Sequence, residues 1–483
     1  MQQTHEIPPQ QELPRPRRPR RFRFTWRFQL SLLAASILIV SIVFTFAYFT
    51  QPHFTSPESE EIVAPKKTAT VSPQGAQTVS PQNTETMASE DSIVKQILID
   101  ENTNGWDTTY HGILINWRRD DPSKVNCSDD MCDVRGHSTR HDVLNDLRDL
   151  ENLYWYRARH PSDSSLNGYI ARILPTVQRE WGATTQSKGW LYFTILRMGM
   201  YSDDPGYWNN TLQNWAQAQY NATDPVLGVH HGLTNTVAGH GNIPLQDGYR
   251  VDGDLELGLA LTDAGVRFHR PDWVSVGKRE VQSVINSSFN PKYHLFARVY
   301  VLSDPRFGSN HVYDPQARMG ENGQEIEELL RTGLYTKTDS YVQLAKEMLD
   351  ALVNSPLHDR VHGGFYYRLL LGDFQGLHEG YIDQSMKETR QFHMLPAVHL
   401  ANKVFNNRWS DIAAELHKLA TANDGLFLPA PVPGFTYRLK PDGALYPCPT
   451  CVGPQKNENW VTSEADNIAM EGLQAIVEDK SMP

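Results

Sequence analysis

The chain is expected to be all-α: an (α/α)6 toroid of six helical hairpins with short β segments in the loops, preceded by a single transmembrane helix. Three observations predict this. About twelve segments from residue 91 onward carry apolar residues at the i, i+3, i+4 spacing of a helix with one buried face. Many of these segments follow one another in pairs across short turns, which sets the two members of a pair antiparallel. Between the pairs run longer loops with brief β character, at 229–249, 298–320, 361–373 and 426–442. A solenoid of helical repeats is the rival architecture. It requires a fixed sequence period, and none is present.

The N-terminal region is set apart by charge. Residues 1–27 hold seven arginines against Glu6 and Glu12, a balance of +5, so a chain of net charge −11 leaves −16 for the rest. An acidic main domain is a poor partner for nucleic acid, whose binding rests on neutralising phosphates. Residues 28–49, FQLSLLAASILIVSIVFTFAYF, are 22 residues without a charge. At about 1.5 Å per residue they are long enough to cross a bilayer core of roughly 30 Å. The arginines precede the run and the next basic residue is Lys66 beyond His53. The positive-inside rule therefore predicts a cytoplasmic N-terminus and an extracytoplasmic main domain. A cleaved signal peptide has a shorter apolar core and a small-residue cleavage site; the sequence Tyr48-Phe49-Thr50-Gln51-Pro52 does not supply one. Residues 50–90 are rich in Ser, Thr, Pro and Gln and read as a disordered stalk. The domain proper is then 91–483.

Four cysteines form two close pairs, Cys127 with Cys132 and Cys448 with Cys451. Outside the cytoplasm they are expected to be disulfides, as two local bridges or as cross-links between the pairs. The spacing also permits a four-cysteine zinc site. Asn126, Asn209, Asn221 and Asn286 begin N-x-S/T sequons, which matter in a eukaryotic host.

Helices are expected at 91–101, 138–160, 164–181, 188–202, 206–221, 253–269, 272–288, 321–336, 339–354, 384–405, 408–422 and 460–478. In the second, Val143, Leu147, Leu150 and Tyr154 share one face. Ser138 stands ahead of it as a cap, Pro205 opens the fifth, and Pro271-Asp272 opens the seventh. The stretch 362–399 gathers the most chemistry. Gly363 and Gly364 permit a tight turn, the aromatic run Phe365-Tyr366-Tyr367-Arg368 follows as a strand, and a polar loop then leads to a helix carrying Lys387, Arg390 and His393.

Polar groups converge in four loops: 230–241, 246–254, the 362–399 stretch, and 457–467. Sugar hydroxyls need paired donors and acceptors, and sugar rings need aromatic platforms. Glycosidic cleavage adds one protonated and one ionised carboxyl group. Asp252 and Asp254 stand two apart at a helix start, and Glu464 and Asp466 lie in the first turn of the last helix. Such carboxylates also serve as caps or complement the helix dipole. Asp383 and Glu388 flank the start of another helix, and three such clusters at equivalent points of separate hairpins exceed that explanation. The histidines do not mark a metal site: no HExxH occurs, and His393 and His399 are six apart. Asp252-Gly253-Asp254 fits the start of a calcium loop, but position twelve is Asp263 where such a loop carries Glu. No cofactor is expected.

The segments GGFYYRL at 363–369, the Lys387 to His393 helix and WVTSEADNIAMEGL at 460–473 resemble the six-hairpin sugar enzymes, and among them the acylglucosamine epimerase-like proteins. The resemblance implies an (α/α)6 barrel with a carbohydrate cleft at one end. It departs from the pattern at Thr462, where the epimerases often carry a histidine. The neighbouring glycoside hydrolases use carboxylates, which this chain has. The expected function is thus a membrane-anchored glycoside hydrolase acting on an oligosaccharide or polysaccharide. Asp252 or Asp254 and Glu464 are the expected catalytic carboxyls. Asp383, Arg390, His393 and Asp466 are the expected sugar-binding groups, with Tyr366 and Trp460 as platforms. A sugar epimerase using His393 and a non-catalytic glycan-binding domain are the alternatives.

Overall fold

A computed structural model of the chain describes residues 82–118, 143–181, 188–230, 247–385, 387–421, 426–428, 433–435, 438–442 and 460–478. The apolar run 28–49, Ser138 and the loop 231–246 fall outside the described residues. So do the four cysteines expected to form disulfides: Cys127, Cys132, Cys448 and Cys451. Among the described residues there is accordingly no disulfide, and no helix is long and apolar enough to cross a membrane.

Twelve helices occur among the described residues. They are α1 Gln82–Thr103, α2 Val143–Arg159, α3 Asn167–Trp181, α4 Leu191–Tyr201, α5 Pro205–Ala222, α6 Val251–Arg267, α7 Pro271–Ser288, α8 Met319–Thr336, α9 Asp339–Asn354, α10 Met394–Val404, α11 Ser410–Thr421 and α12 Ser463–Val477. The even-numbered helices form an inner ring, each touching the next. α2 packs on α4, α6 on α8, α8 on α10, α10 on α12, and α12 returns to α2. Tyr192 of α4 bonds Asp263 of α6, completing the circuit. The odd-numbered helices lie outside, each against an inner partner.

The closing hairpin joins the two ends of the domain, because the last inner helix, α12, packs on the first outer helix, α1. A buried amide ladder fixes the seam between α12 and α2. Asn152 Nδ2 donates to Asn467 Oδ1 at 2.9 Å, and Gln474 Nε2 donates to Asn152 Oδ1 at 2.7 Å. Gln474 Oε1 also accepts from Arg159 at 3.0 Å and Asn467 Nδ2 donates to the Asn145 carbonyl, so a shift in register would leave several buried amide groups unpaired.

Hydrophobic patterning follows this layout. The outer helix α7 buries one stripe, including Trp273, Gly277, Val281 and Val284. The inner helix α6 is buried all round from Asp254 to Gly265, because it faces both the outer ring and the lumen. Connections from inner to outer helix are short, from two residues (337–338) to seven (160–166). Those from outer to inner are long, from nine (182–190) to 41 (422–462). All long loops therefore belong to the end of the barrel where the inner helices begin.

Short strands lead straight into several inner helices. Asp247–Arg250 runs into α6, Gln316–Arg318 into α8 and Trp460–Thr462 into α12. Each is paired: Asp247–Arg250 with Val299–Asp304, Gln316–Arg318 with Arg368–Leu370, and Trp460–Thr462 with Asn116–Arg118. These ladders hold the first residue of each inner helix in place.

The helix expected over 384–405 is shorter than its pattern suggests. Lys387–Glu388 is a strand paired with Arg438–Leu439, Thr389–His393 is a 3-10 turn, and α10 begins only at Met394. Lys387 explains the difference. Its buried ammonium donates to the carbonyls of Gly363 at 2.6 Å and Pro441 at 3.1 Å and pairs with Asp359 at 2.9 Å. Those bonds hold it to the turn and the neighbouring strand rather than to a helix surface. Gly363 and Gly364 both take the left-handed conformation, with φ of 78° and 72°. The strand expected at 365–368 is observed at Arg368–Leu370. The first helix, expected from residue 91, begins at Gln82.

Candidate active-site cleft

The inner helices begin together, and the groups at their starts form a charged mouth. Arg250 Nε donates to Asp252 Oδ1 at 3.0 Å and Arg250 Nη2 donates to Glu321 Oε1 at 3.0 Å. Arg298 Nε reaches the same Glu321 oxygen at 3.3 Å. Arg390, packed against Gly320 at the start of α8, bonds Glu464. Arg148 stacks over the Trp190 ring, 3.9 Å from its centroid. Arg318 stacks over Tyr367 at 5.2 Å.

Below the mouth, carboxyl groups from α6 and α8 face inward. The Trp190 backbone N–H donates to Glu256 Oε2 at 3.1 Å. This contact needs Gly189: a Cβ there would stand 2.1 Å from the Glu256 Cβ. Glu325 and Glu328 lie buried nearby. Deeper still is an axial cavity of ≈ 320 Å³ in part open to solvent, lined by Arg148, Trp190, Glu327, Glu328, His393 and Glu471 among others. His393 and Glu471 also border a second space of ≈ 250 Å³ that reaches Trp155 and Phe392.

Burial and neighbouring charges drive these groups to opposite protonation states. Burial, with the Asp252 charge beside it, pushes the Glu256 carboxyl up to about 8. Burial together with Asp252, Glu321 and Glu256 likewise raises Glu325 well above the carboxylate range. Burial alone would raise Glu464 as well, but Arg390 and Arg148 outweigh it and hold that carboxyl below its ordinary value. Glu321 is likewise pulled against burial to about 2 by Arg298, Arg250, Arg318 and Arg390. His393 is kept neutral by burial and by the arginines Arg148, Arg390 and Arg197. Neighbouring groups with divergent acidities are the arrangement that acid–base chemistry uses.

The expected site residues divide between this cleft and other places. Asp252, Glu464, Arg390 and His393 are in it. Asp254 is not: it is fully buried, accepts the His230 backbone N–H at 3.2 Å and is raised by burial and by Glu280 on α7. The two-residue step from Asp252 turns its side chain toward the outer ring. Asp466 is also fully buried and accepts the Phe435 N–H at 2.6 Å, tying a loop strand to α12. Tyr366 is near Asp359 on the side of the Gly363-Gly364 turn, whereas its neighbour Tyr367 faces the arginines. Asp383 pairs with Arg368 at 3.2 Å and accepts from Ser385 Oγ at 2.6 Å. Trp460 opens the strand that enters α12. Cys127, Cys132, Cys448 and Cys451 lie outside the described residues, so neither their pairing nor the four-cysteine zinc alternative enters the site.

The calcium-loop pattern does not form a loop. Residues 252–263 are continuous helix, and Asp263 is bonded to Tyr192 and Arg267. No group of three or more His, Cys, Asp or Glu among the described residues is arranged to hold a metal ion.

Sequence reasoning missed Glu256, Glu321, Glu325, Arg148 and Arg318. A signal was available. Glu321, Glu325 and Glu328 repeat at i, i+4 and i+7 and so share one helix face. An acidic stripe ordinarily marks a solvated face; on an inner helix it marks the lumen.

The retained protons give a pH prediction. Glu256 titrates at about 8, and Asp149 and Glu471 at about 7, all raised chiefly by burial; their ordinary values are 4.5, 3.8 and 4.5. Between roughly pH 5 and 7 the folded chain therefore holds protons that the unfolded chain has released. Stability falls as pH rises through this window, by about 1.4 kcal/mol per pH unit for each retained proton. The melting temperature is expected to be highest in mildly acidic buffer and to decline toward pH 8. A melting temperature flat or rising from pH 5 to 8 would contradict these assignments.

No family profile matches the sequence, and no curated protein matches it. Solved structures do. An unsaturated glucuronyl hydrolase specific for heparin superposes with a TM-score of 0.56 at 12% identity, covering 80% of this chain and 97% of its own. A GH76 α-mannanase from Bacteroides thetaiotaomicron gives 0.54 at 10% identity, with 80% and 95% covered. A D-mannose isomerase gives 0.52 at 11% identity, with 80% and 96% covered. At such identities the likeness is one of architecture, and the chain has the six-hairpin (α/α)6 fold that these proteins share.

Proposed function

We propose that this chain is a membrane-anchored, extracytoplasmic glycoside hydrolase. One observation carries the reading: Arg148 lies near both Glu464, which Arg390 holds ionised, and Glu256, which keeps its proton to about pH 8. The solved structures that share the fold are sugar enzymes, which supports a carbohydrate substrate.

In this reading Glu256 protonates the glycosidic oxygen as the bond to the anomeric carbon breaks. Glu464 takes the opposite role, attacking the anomeric carbon or deprotonating the water that does. Asp252, paired with Arg250, lies beside Glu256. Its negative charge helps keep Glu256 protonated and favours the positive charge that develops on the sugar ring. Trp190, stacked under Arg148, and Tyr367 supply the aromatic faces.

The test uses the full-length protein in detergent on α- and β-linked oligosaccharides, reading new reducing ends by mass and NMR. New ends are expected. The rate is expected to fall above about pH 8, as Glu256 loses its proton. A changed sugar configuration without new ends would replace this reading with an epimerase using His393. Binding without product would replace it with a glycan-binding domain.

A further inference from the structure

Three of the four arginines that the strands and the 3-10 turn bring to the mouth are matched to carboxylates. Arg250 bonds Asp252 and Glu321, Arg298 bonds Glu321 and Asp314, and Arg390 bonds Glu464. Arg318 is the exception. Its Nε is enclosed and has no hydrogen-bond partner, and its guanidinium forms no ion pair among the described residues. Glu321, Glu388 and Asp314 are near enough to act on it, yet none bonds it. Its guanidinium lies instead against the Tyr367 ring.

An enclosed Nε–H without an acceptor is costly, because that donor loses water and gains nothing. The arrangement makes sense if the acceptor arrives with a ligand. Arg318 ends the strand Gln316–Arg318 and directly precedes α8, so the positive end of that helix adds to its field. The Tyr367 ring fixes the plane of the fork, and a planar fork suits bidentate binding of an anionic group.

Building on the carbohydrate reading above, we propose that the cleft takes an acidic sugar, whose carboxylate or sulfate is bound by Arg318 against Tyr367. The protein as a whole is acidic, at net charge −11, so a general attraction for anions does not account for such binding. Specificity comes from one unmatched cation in a mouth whose other cations are satisfied.

The experiment is calorimetric binding to the full-length protein in detergent, with glucose, glucuronate and glucose 6-sulfate as probes. Glucuronate or the sulfate is expected to bind at least about tenfold tighter than glucose, in line with a charge-assisted hydrogen-bonded pair. Arg318→Met is expected to abolish that preference and leave the glucose affinity unchanged. Arg318→Lys, which keeps the charge but loses the fork, is expected to retain part of it and serves if the Met variant misfolds. Preference for glucuronate alone identifies a uronate ligand, and preference for the sulfate alone a sulfated one. Equal affinity for all three probes, no binding of either anion, or a preference that survives in Arg318→Met would overturn the proposal. The readout is binding, so loss of the hydrolase reading through absence of new reducing ends is a separate result.

Discussion

Glu464→Gln is expected to lower kcat by about 10²–10⁴, the range for removal of a positioned acid–base group. Glutamine keeps the shape of the side chain and can still accept from Arg390, so the fold and melting temperature should hold. What disappears is the negative charge that Arg390 and Arg148 maintain. The acid limb of the pH–rate profile, set by protonation of Glu464, should vanish with it. Asp254→Asn is the control. Asp254 lies against His230 and Glu280, outside the cleft, so its loss should be felt in stability and leave kcat within a few-fold. A Glu464→Gln enzyme retaining more than a tenth of the parent kcat, or an equal loss from Asp254→Asn with the fold intact, would refute the assignment.

Arg197→Met is expected to cost about 3–5 kcal/mol of stability. Arg197 sits within the ring, bonded to Glu151, which is fully buried, and within 4.0 Å of Glu471. It also stands over the Trp155 ring at 5.4 Å. Removing the guanidinium leaves the fully buried Glu151 carboxylate without its partner. The double variant Arg197→Met/Glu151→Leu should recover most of the loss, because the cost comes from the orphaned charge rather than from the lost bond. Denaturant midpoints for both variants and the parent make the comparison. A single variant as stable as the parent, or a double no better than the single, would show that the pair does not carry this energy.

Twelve helices and their order were legible because helical periodicity is a local property. Each outer helix shows its buried stripe, and most boundaries agree within a few residues. The ring itself was also legible, since short and long connections alternate along the chain. The misplaced start of α10 came from Lys387, whose partners Gly363, Asp359 and Pro441 are distant in sequence. No window around Lys387 contains them.

The cleft was half legible. Asp252, Glu464, Arg390 and His393 could be picked out as polar groups at helix starts, where the long loops converge. Their near neighbours Asp254 and Asp466 look the same in sequence yet face outward or into a loop strand, because a two-residue step on a helix turns a side chain through about 200°. Only the packed ring decides which side is lumen. The ring also decided that Glu256 and Glu325 keep their protons while Glu464 loses its own. That outcome depends on burial and on arginines from other hairpins, Arg390 and Arg148 above all. The sequence by itself determined the helices, their count and the end of the barrel at which chemistry gathers. The tertiary structure decided which carboxyl keeps its proton and which stays ionised, because acidity is set by charges that only folding brings near.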